Sequence, residues 1–196
     1  MTLALFLVGA LKPVRAILVF IAQLLGGIAA AAVVHGILPG SLTVSTKLAQ
    51  GMSATRGLFL EMFLTSELVL VILMLAVEKH KSTHMAPIAI GAALFVGHMA
   101  GVYWTGASLN PARSFGPQVI TGFQTYDWIY WIGPFLGSLL ATGFYRLMKF
   151  LEYETANPGQ DFDDQEAALF NPPVQAVTAA DVRRPFVVAP ADMKDV

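Results

Sequence analysis

The sequence predicts an all-α membrane protein with four transmembrane helices and, after Asn110, a re-entrant half-helix. Three observations predict it. Of 196 residues, 56% are hydrophobic and 13% charged, against roughly a quarter charged in an ordinary soluble domain. Four stretches are long and apolar enough to cross a hydrocarbon layer ~30 Å thick, which takes about 20 helical residues. Between the last two of them, residues 103 to 127 are too apolar for an exposed loop and too broken by Gly and Pro for another span.

The chain opens with "MTLALFLVGALKPVRA", whose apolar run from Thr2 to Leu11 is ten residues long. That is too short to cross as a helix, and no basic residues precede it as they precede a secretory signal core. It reads as a re-entrant or interfacial segment. The first span follows at about Ala16 to Leu38 and carries no formal charge. Its Gln23 is a candidate interhelical hydrogen-bond residue, and His35 falls near its end.

The second span, Gly57 to Val77, holds Glu61 and Glu67. Ionisable groups inside spans cost several kcal/mol and face the bundle interior or a cavity. Glu61 is therefore expected to accept hydrogen bonds from broken backbone or to pair with an arginine. Glu67, six residues on, lies about 120° away around the helix at ~100° per residue, so the two need not share a partner. The third span, about Met85 to Val102, holds His98, and the fourth runs from about Trp128 to Leu147. Gly97 with Gly101, and Gly133 with Gly137, have the spacing that lets helix backbones approach closely.

Lys and Arg are enriched on the cytoplasmic side of membrane helices. Lys12 and Arg15 precede span one, Lys79 and Lys81 link spans two and three, and Arg146 and Lys149 follow span four, all on one side. Lys47 and Arg56 lie on the other. The first segment, the "EKHKSTH" link and the C-terminus are thus expected on the cytoplasmic face. Residues 150 to 196 hold nine acids and three bases, residues 1 to 149 four acids and nine bases. With five prolines and no helix-period apolar pattern, residues 151 to 196 are expected to be a disordered acidic tail on a membrane domain formed by residues 1 to 150.

The chemistry is expected in "TGASLNPARSFGP". Non-helical backbone at membrane depth is tolerated only where protein buries it or it lines a wet cavity. Asn110 is a good N-cap and Pro111 a good first helical residue, so a short helix should begin there. Its positive end and the permanent cation of Arg113 one turn inside would donate hydrogen bonds to neutral solutes and repel cations and protons. His98, twelve residues before Asn110, could reach the same constriction or be bonded between helices. A proline-broken external loop with a solvated arginine is the other reading that spacing leaves open.

The chain has no cysteine and hence no thiolate chemistry, its His and carboxylates are too scattered for a metal cluster, and it shows no nucleophile beside a base and no phosphate-cradling Gly loop. No enzyme activity, cofactor or nucleic-acid partner is expected.

Over residues 2 to 150 the sequence resembles the aquaporins, or major intrinsic proteins, and the fungal members most closely. "HMAGVYWTGASLNPARSFGP" is similar to the family's second Asn-Pro-Ala half-helix with the helix before it, "GLFLEMFLTSELVLV" to its fourth helix, and "AQLLGG" to its third. The resemblance implies a right-handed helical bundle and a water channel. Asn110 would donate to the permeating molecule, with Pro111 and Ala112 at the half-helix tip. His98, Ala107 and Arg113 would be three of four members of the outer constriction, and Glu61 would brace irregular backbone. Where glycerol facilitators have an Asp after the arginine this chain has Ser114. With His98, that implies water over glycerol, while the small Ala107 pulls mildly the other way. A homotetramer in the bilayer is also implied.

An aquaporin subunit has six spans and two half-helices arranged as inverted repeats. On the resemblance, "MTLALFLVG" is the remnant of the first half-helix, and the first two helices with the first Asn-Pro-Ala would lie upstream of Met1. The expectation is a shortened or degenerate water-channel chain. Glu61, Arg113 and broken backbone should then face lipid, and only one helix dipole the midplane, so that conduction by these residues alone is not expected. The alternatives are a facilitator of glycerol or another small neutral solute, and a non-conducting membrane protein acting through partners or its tail.

Overall fold

The computed structural model describes residues 1–78 and 82–153. The tail assigned from sequence to residues 151 to 196, and Lys79 and Lys81 of the link, fall mostly or wholly outside them. Among the described residues there is no strand. Six α-helices follow one another: α1 (Thr2–Leu7), α2 (Pro13–Ile37), α3 (Ala54–Ile72), α4 (Ala86–Thr105), α5 (Pro111–Thr121) and α6 (Ile129–Phe150). A π-helical turn, Leu73–Val77, extends α3, and a 3₁₀ turn, Thr83–Met85, leads into α4.

Local chemistry sets the boundaries. Pro13 and Pro111 occupy the first turns of α2 and α5, where a missing N–H costs nothing. Ser53 caps α3, its Oγ accepting the Arg56 N–H at 3.3 Å. Gly106, with φ 80°, ends α4 in the left-handed conformation that suits a residue without Cβ.

Three helical stretches are long and apolar enough to cross a membrane: Pro13–Ile37 (25 residues), Ala54–Val77 (24) and Thr83–Thr105 (23). The fourth expected span corresponds to α6, which has 22 residues. Its composition does not select it, because Tyr130, Ser138, Thr142, Tyr145 and Arg146 dilute its apolar content. Apart from Arg146, those positions are buried, so the polarity faces protein rather than lipid. The outward faces are apolar: Ile17, Leu18, Leu25, Ile88, Phe95, Met99, Leu139 and Phe144 are all exposed, the inverse of a water-soluble surface.

Packing depends on small residues. A Cβ added at Gly133 would lie 2.9 Å from Cβ of Glu61, and one at Gly137 would overlap the carbonyl of Met62, so α6 rests directly on the backbone of α3. A Cβ at Gly27 would lie 2.7 Å from the Ala112 carbonyl, and one at Gly116 would overlap the carbonyl of Gly27, so α2 meets α5 backbone to backbone. Gly97 and Gly101 likewise admit Leu109 and Leu64. Two buried clusters complete the interior, one of Ala4, Val69, Leu73, Ala141 and Tyr145, the other of Leu68, Ile72, Ala93, Ala107 and Leu109.

At one end of the bundle α6 ties its neighbours together. Arg146 donates from Nη2 to the carbonyl of Leu7 at the end of α1. The Tyr145 hydroxyl donates to Oε2 of Glu78 at 2.6 Å, and Lys149 Nζ pairs with Oε1 at 2.8 Å. The ends of α1, α3 and α6 and the start of α2 therefore lie together, the grouping that the Lys and Arg pattern predicts for Lys12, Arg15, Arg146 and Lys149.

Candidate functional site

Residues 105 to 111 turn back into the bundle rather than lying outside it, which removes the external-loop reading. Thr105, Ala107, Ser108 and Leu109 are all buried, at 4% exposure or less. The turn contains two non-glycine residues in the left-handed region, Ala107 (φ 46°) and Leu109 (φ 52°). Such backbone costs on the order of 1–3 kcal/mol per residue and persists only where its surroundings over-determine it.

Glu61 supplies that determination. Its Oε1 accepts the Ser108 N–H at 2.9 Å and the Thr105 hydroxyl at 2.6 Å, and its Oε2 accepts the Leu109 N–H at 2.9 Å. Thr105 Oγ1 in turn accepts the Ala107 N–H at 3.2 Å, and the Tyr130 hydroxyl donates to the Thr105 carbonyl at 2.8 Å. Of the two partners open to Glu61 from sequence, broken backbone holds it. No ion pair with Arg113 forms among the described residues, and Arg113 donates instead from Nη1 to the Val44 carbonyl at 3.0 Å. The expectation that Glu61 and the broken backbone face lipid is corrected here. Glu61 is 0% exposed and Arg113 half-buried, because α3, α4, α6 and the α2–α3 connection enclose them.

Asn110 caps α5. Its Oδ1 accepts the Ala112 N–H at 3.1 Å, which fixes the amide orientation and leaves both Nδ2 hydrogens without a partner among the described residues. Asn110 lines a cavity of about 370 Å³ together with Leu109, Pro111 and Ala112, Gln23 of α2, Pro134, Phe135 and Ser138 of α6, and Thr2 and Leu3 of α1 with its N-cap Met1. A mostly apolar wall with a few converging amides and hydroxyls suits small neutral molecules. The first turn of α1 thus reaches the same cavity as the tip of α5, so the half-helix is not alone at that depth. The Thr2 hydroxyl donates to Oε1 of Gln23 at 3.2 Å, joining α1 to α2.

The remaining sequence candidates are spread more widely. His98 is half-buried, its Nδ1 2.9 Å from the Leu94 carbonyl of its own helix. Ala107 is fully buried between α3 and α4, so its methyl faces protein. Glu67 is exposed on α3 and shares no partner with Glu61. Sequence reading missed Thr105, Ser108, Ser114 and Tyr130 as bracing residues, and Thr46 altogether. The only signal was the concentration of hydroxyls in "SLTVST" and "TGAS".

A helical membrane bundle with a half-helix turned inward at an Asn-Pro-Ala tip defines a class, the polytopic membrane proteins with re-entrant half-helices. The family model for the major intrinsic proteins matches residues 1–145, and the chain belongs to that family. It is 57% identical over 163 residues to "Aquaporin-1" of Gibberella zeae, covering 83% of this chain and 51% of that protein. It is 54% identical over 177 residues to "Aquaporin-7" of Botryotinia fuckeliana, covering 90% and 39%. The aquaglyceroporin from Plasmodium falciparum, in its X-ray structure, shares the fold with a TM-score of 0.61 at 24% identity, covering 74% of this chain and 68% of that one. The chain spans about half the length of the curated relatives it matches.

Proposed function

We propose that the chain serves passive transport of water across a membrane, contrary to the expectation from sequence that these residues alone do not conduct, with Asn110 as the donor that meets the permeating molecule. One observation carries this: Asn110, a residue of the cavity wall, has its Oδ1 committed to capping α5 and its Nδ2 without a partner among the described residues. A fixed donor, the positive end of α5 and the Arg113 guanidinium favour a neutral molecule that accepts hydrogen bonds and oppose cations. Arg113 and His98 form the constriction in this reading, and Ala107 contributes backbone rather than its buried methyl. Ser114 and His98 favour water over glycerol. The relatives' names and the family support the reading.

We place the end of the bundle that carries Arg146 and Lys149 on the cytoplasmic side, on the Lys and Arg distribution, and the tail with it. Assembly as a homotetramer is part of the same reading, supported by the family alone.

The test is osmotic shrinkage of proteoliposomes holding the purified 196-residue chain. Water flux well above the lipid control with a low activation energy supports transport. Flux equal to the control defeats conduction by this chain, and faster shrinkage reversal in a glycerol gradient makes glycerol the solute.

A further inference from the structure

The connection between α2 and α3 crosses the re-entrant segment and bonds to it at four points. The Val44 carbonyl accepts from Arg113 at 3.0 Å, the hydroxyls of Ser45 and Thr121 lie 2.7 Å apart, Thr46 Oγ1 donates to Ser114 Oγ at 2.8 Å, and the Ala49 N–H donates to the Trp104 carbonyl at 2.8 Å. Thr46 is the buried member, at 1% exposure. The left-handed turn at Gly106 lies so close that a Cβ there would sit 2.9 Å from the Thr46 Cα.

Thr46 also starts a chain with one direction. Ser114 Oγ donates to Ser108 Oγ at 2.6 Å, and Ser108 Oγ donates to the Asn110 carbonyl at 3.0 Å. A hydroxyl has one proton to give. With the protons of Ser108 and Ser114 committed toward Asn110, the acceptor side of Ser114 is met by Thr46. Ser108 and Ser114 are 1% and 0% exposed, so water does not replace a missing member cheaply. The chain ends on the backbone carbonyl of Asn110, a residue that lines the cavity.

We propose that Thr46 is a positioning residue for Asn110: through Ser114 and Ser108, the α2–α3 connection sets where the Asn110 amide stands in the passage. The assignment rests on the reading of Asn110 as the donor to the permeating molecule. It makes a remote loop hydroxyl part of the device that discriminates between solutes.

The test is amide hydrogen exchange over residues 105 to 121 in nanodiscs, with the urea-to-water permeability ratio measured in proteoliposomes. T46V keeps volume and removes the proton; T46S restores it. T46V is expected to speed exchange about fivefold, equivalent to about 1 kcal/mol for one buried hydrogen bond, and to shift the permeability ratio, with both restored in T46S. S114A interrupts the same chain, so it should match T46V, and the double variant should go no further than either single. If T46V fails to insert, S114A compared with wild type and T46S reads the same chain. Unchanged exchange in T46V, failure of T46S to restore it, or effects that multiply in the double variant would overturn the assignment. Wild-type vesicles that shrink no faster than lipid would defeat the channel reading alone, since exchange does not depend on conduction.

Discussion

Glu61 and Leu109, 48 positions apart in sequence, are joined by a 2.9 Å bond from the Leu109 N–H to Oε2, and this bond fixes a residue whose φ of 52° its own side chain disfavours. The strain of the turn and the acceptor that tolerates it come from different helices, so the turn is a property of the packed bundle rather than of the local sequence.

Glu61→Gln keeps one acceptor oxygen and sets an amide NH₂ against an N–H donor. The expected loss is on the order of 3 kcal/mol, the cost of a buried donor left unpaired near a group that cannot accept. Thermal unfolding in detergent reads the loss. E61D, which retains both oxygens on a shorter stem, should lose less. A wild-type midpoint in E61Q would show that the three bonds do not hold the turn.

Arg113→Ala removes the charge assigned to the proposed constriction along with the bond to the Val44 carbonyl. Proton leak in dye-loaded vesicles should rise on the order of tenfold or more, since a nearby full charge opposes a cation by a few kcal/mol at intermediate dielectric. R113K keeps the charge and should leak little. Equal leak in R113A, R113K and wild type would remove Arg113 from the cation barrier.

Gly116→Ala drives a methyl into the Gly27 carbonyl, and overpacking of this kind costs typically about 1–3 kcal/mol. Gly26, one residue earlier on α2, has nothing within 4 Å of its would-be Cβ. G26A is therefore the control and should be neutral or slightly stabilising through helix propensity. Equal unfolding midpoints for the two variants would contradict a backbone seam between α2 and α5.

Asp127, outside the spans, is 6% exposed, with Oδ2 accepting the Gln124 N–H at 2.6 Å and Oδ1 without a partner among the described residues. Burial raises its carboxyl above the ordinary range, and the Gln124 N–H opposes the rise. Because the folded value lies above the unfolded one, the stabilisation is complete below the ordinary value of about 3.9 and is lost as pH rises through the folded value. The difference in unfolding midpoint between wild type and D127N should therefore change from about pH 4 upward and then level off. A constant difference across that window would show that Asp127 titrates as an exposed carboxyl.

The spans and the start of α5 were legible because their signals are local: uncharged runs of sufficient length, and an Asn-Pro step that caps one helix turn. The buried carboxylate at Glu61 was legible as a type, since few partners can hold a charge at that depth, although sequence did not choose between backbone and Arg113. Thr46 was not legible. Its partner Ser114 is 68 residues away, and a loop has no periodicity to mark which hydroxyl turns inward. Nor were the left-handed conformations of Ala107 and Leu109, because nothing about those side chains favours them. A helix over the fourth expected span was foreseen and is α6, but its polarity was not understood until α6 proved to bury its hydroxyls against its neighbours.

The contact between Gly27 and Gly116 has a mechanical consequence. Side chains accommodate sliding by changing rotamer; a seam of bare main chain has none to change, so α2 and α5 are coupled as a rigid pair. A bilayer thinner than the hydrophobic length of α2 makes that helix lean. The tip of α5, with Asn110 at its cap, then leans with it, so the tilt of α2 and the placement of that tip change together.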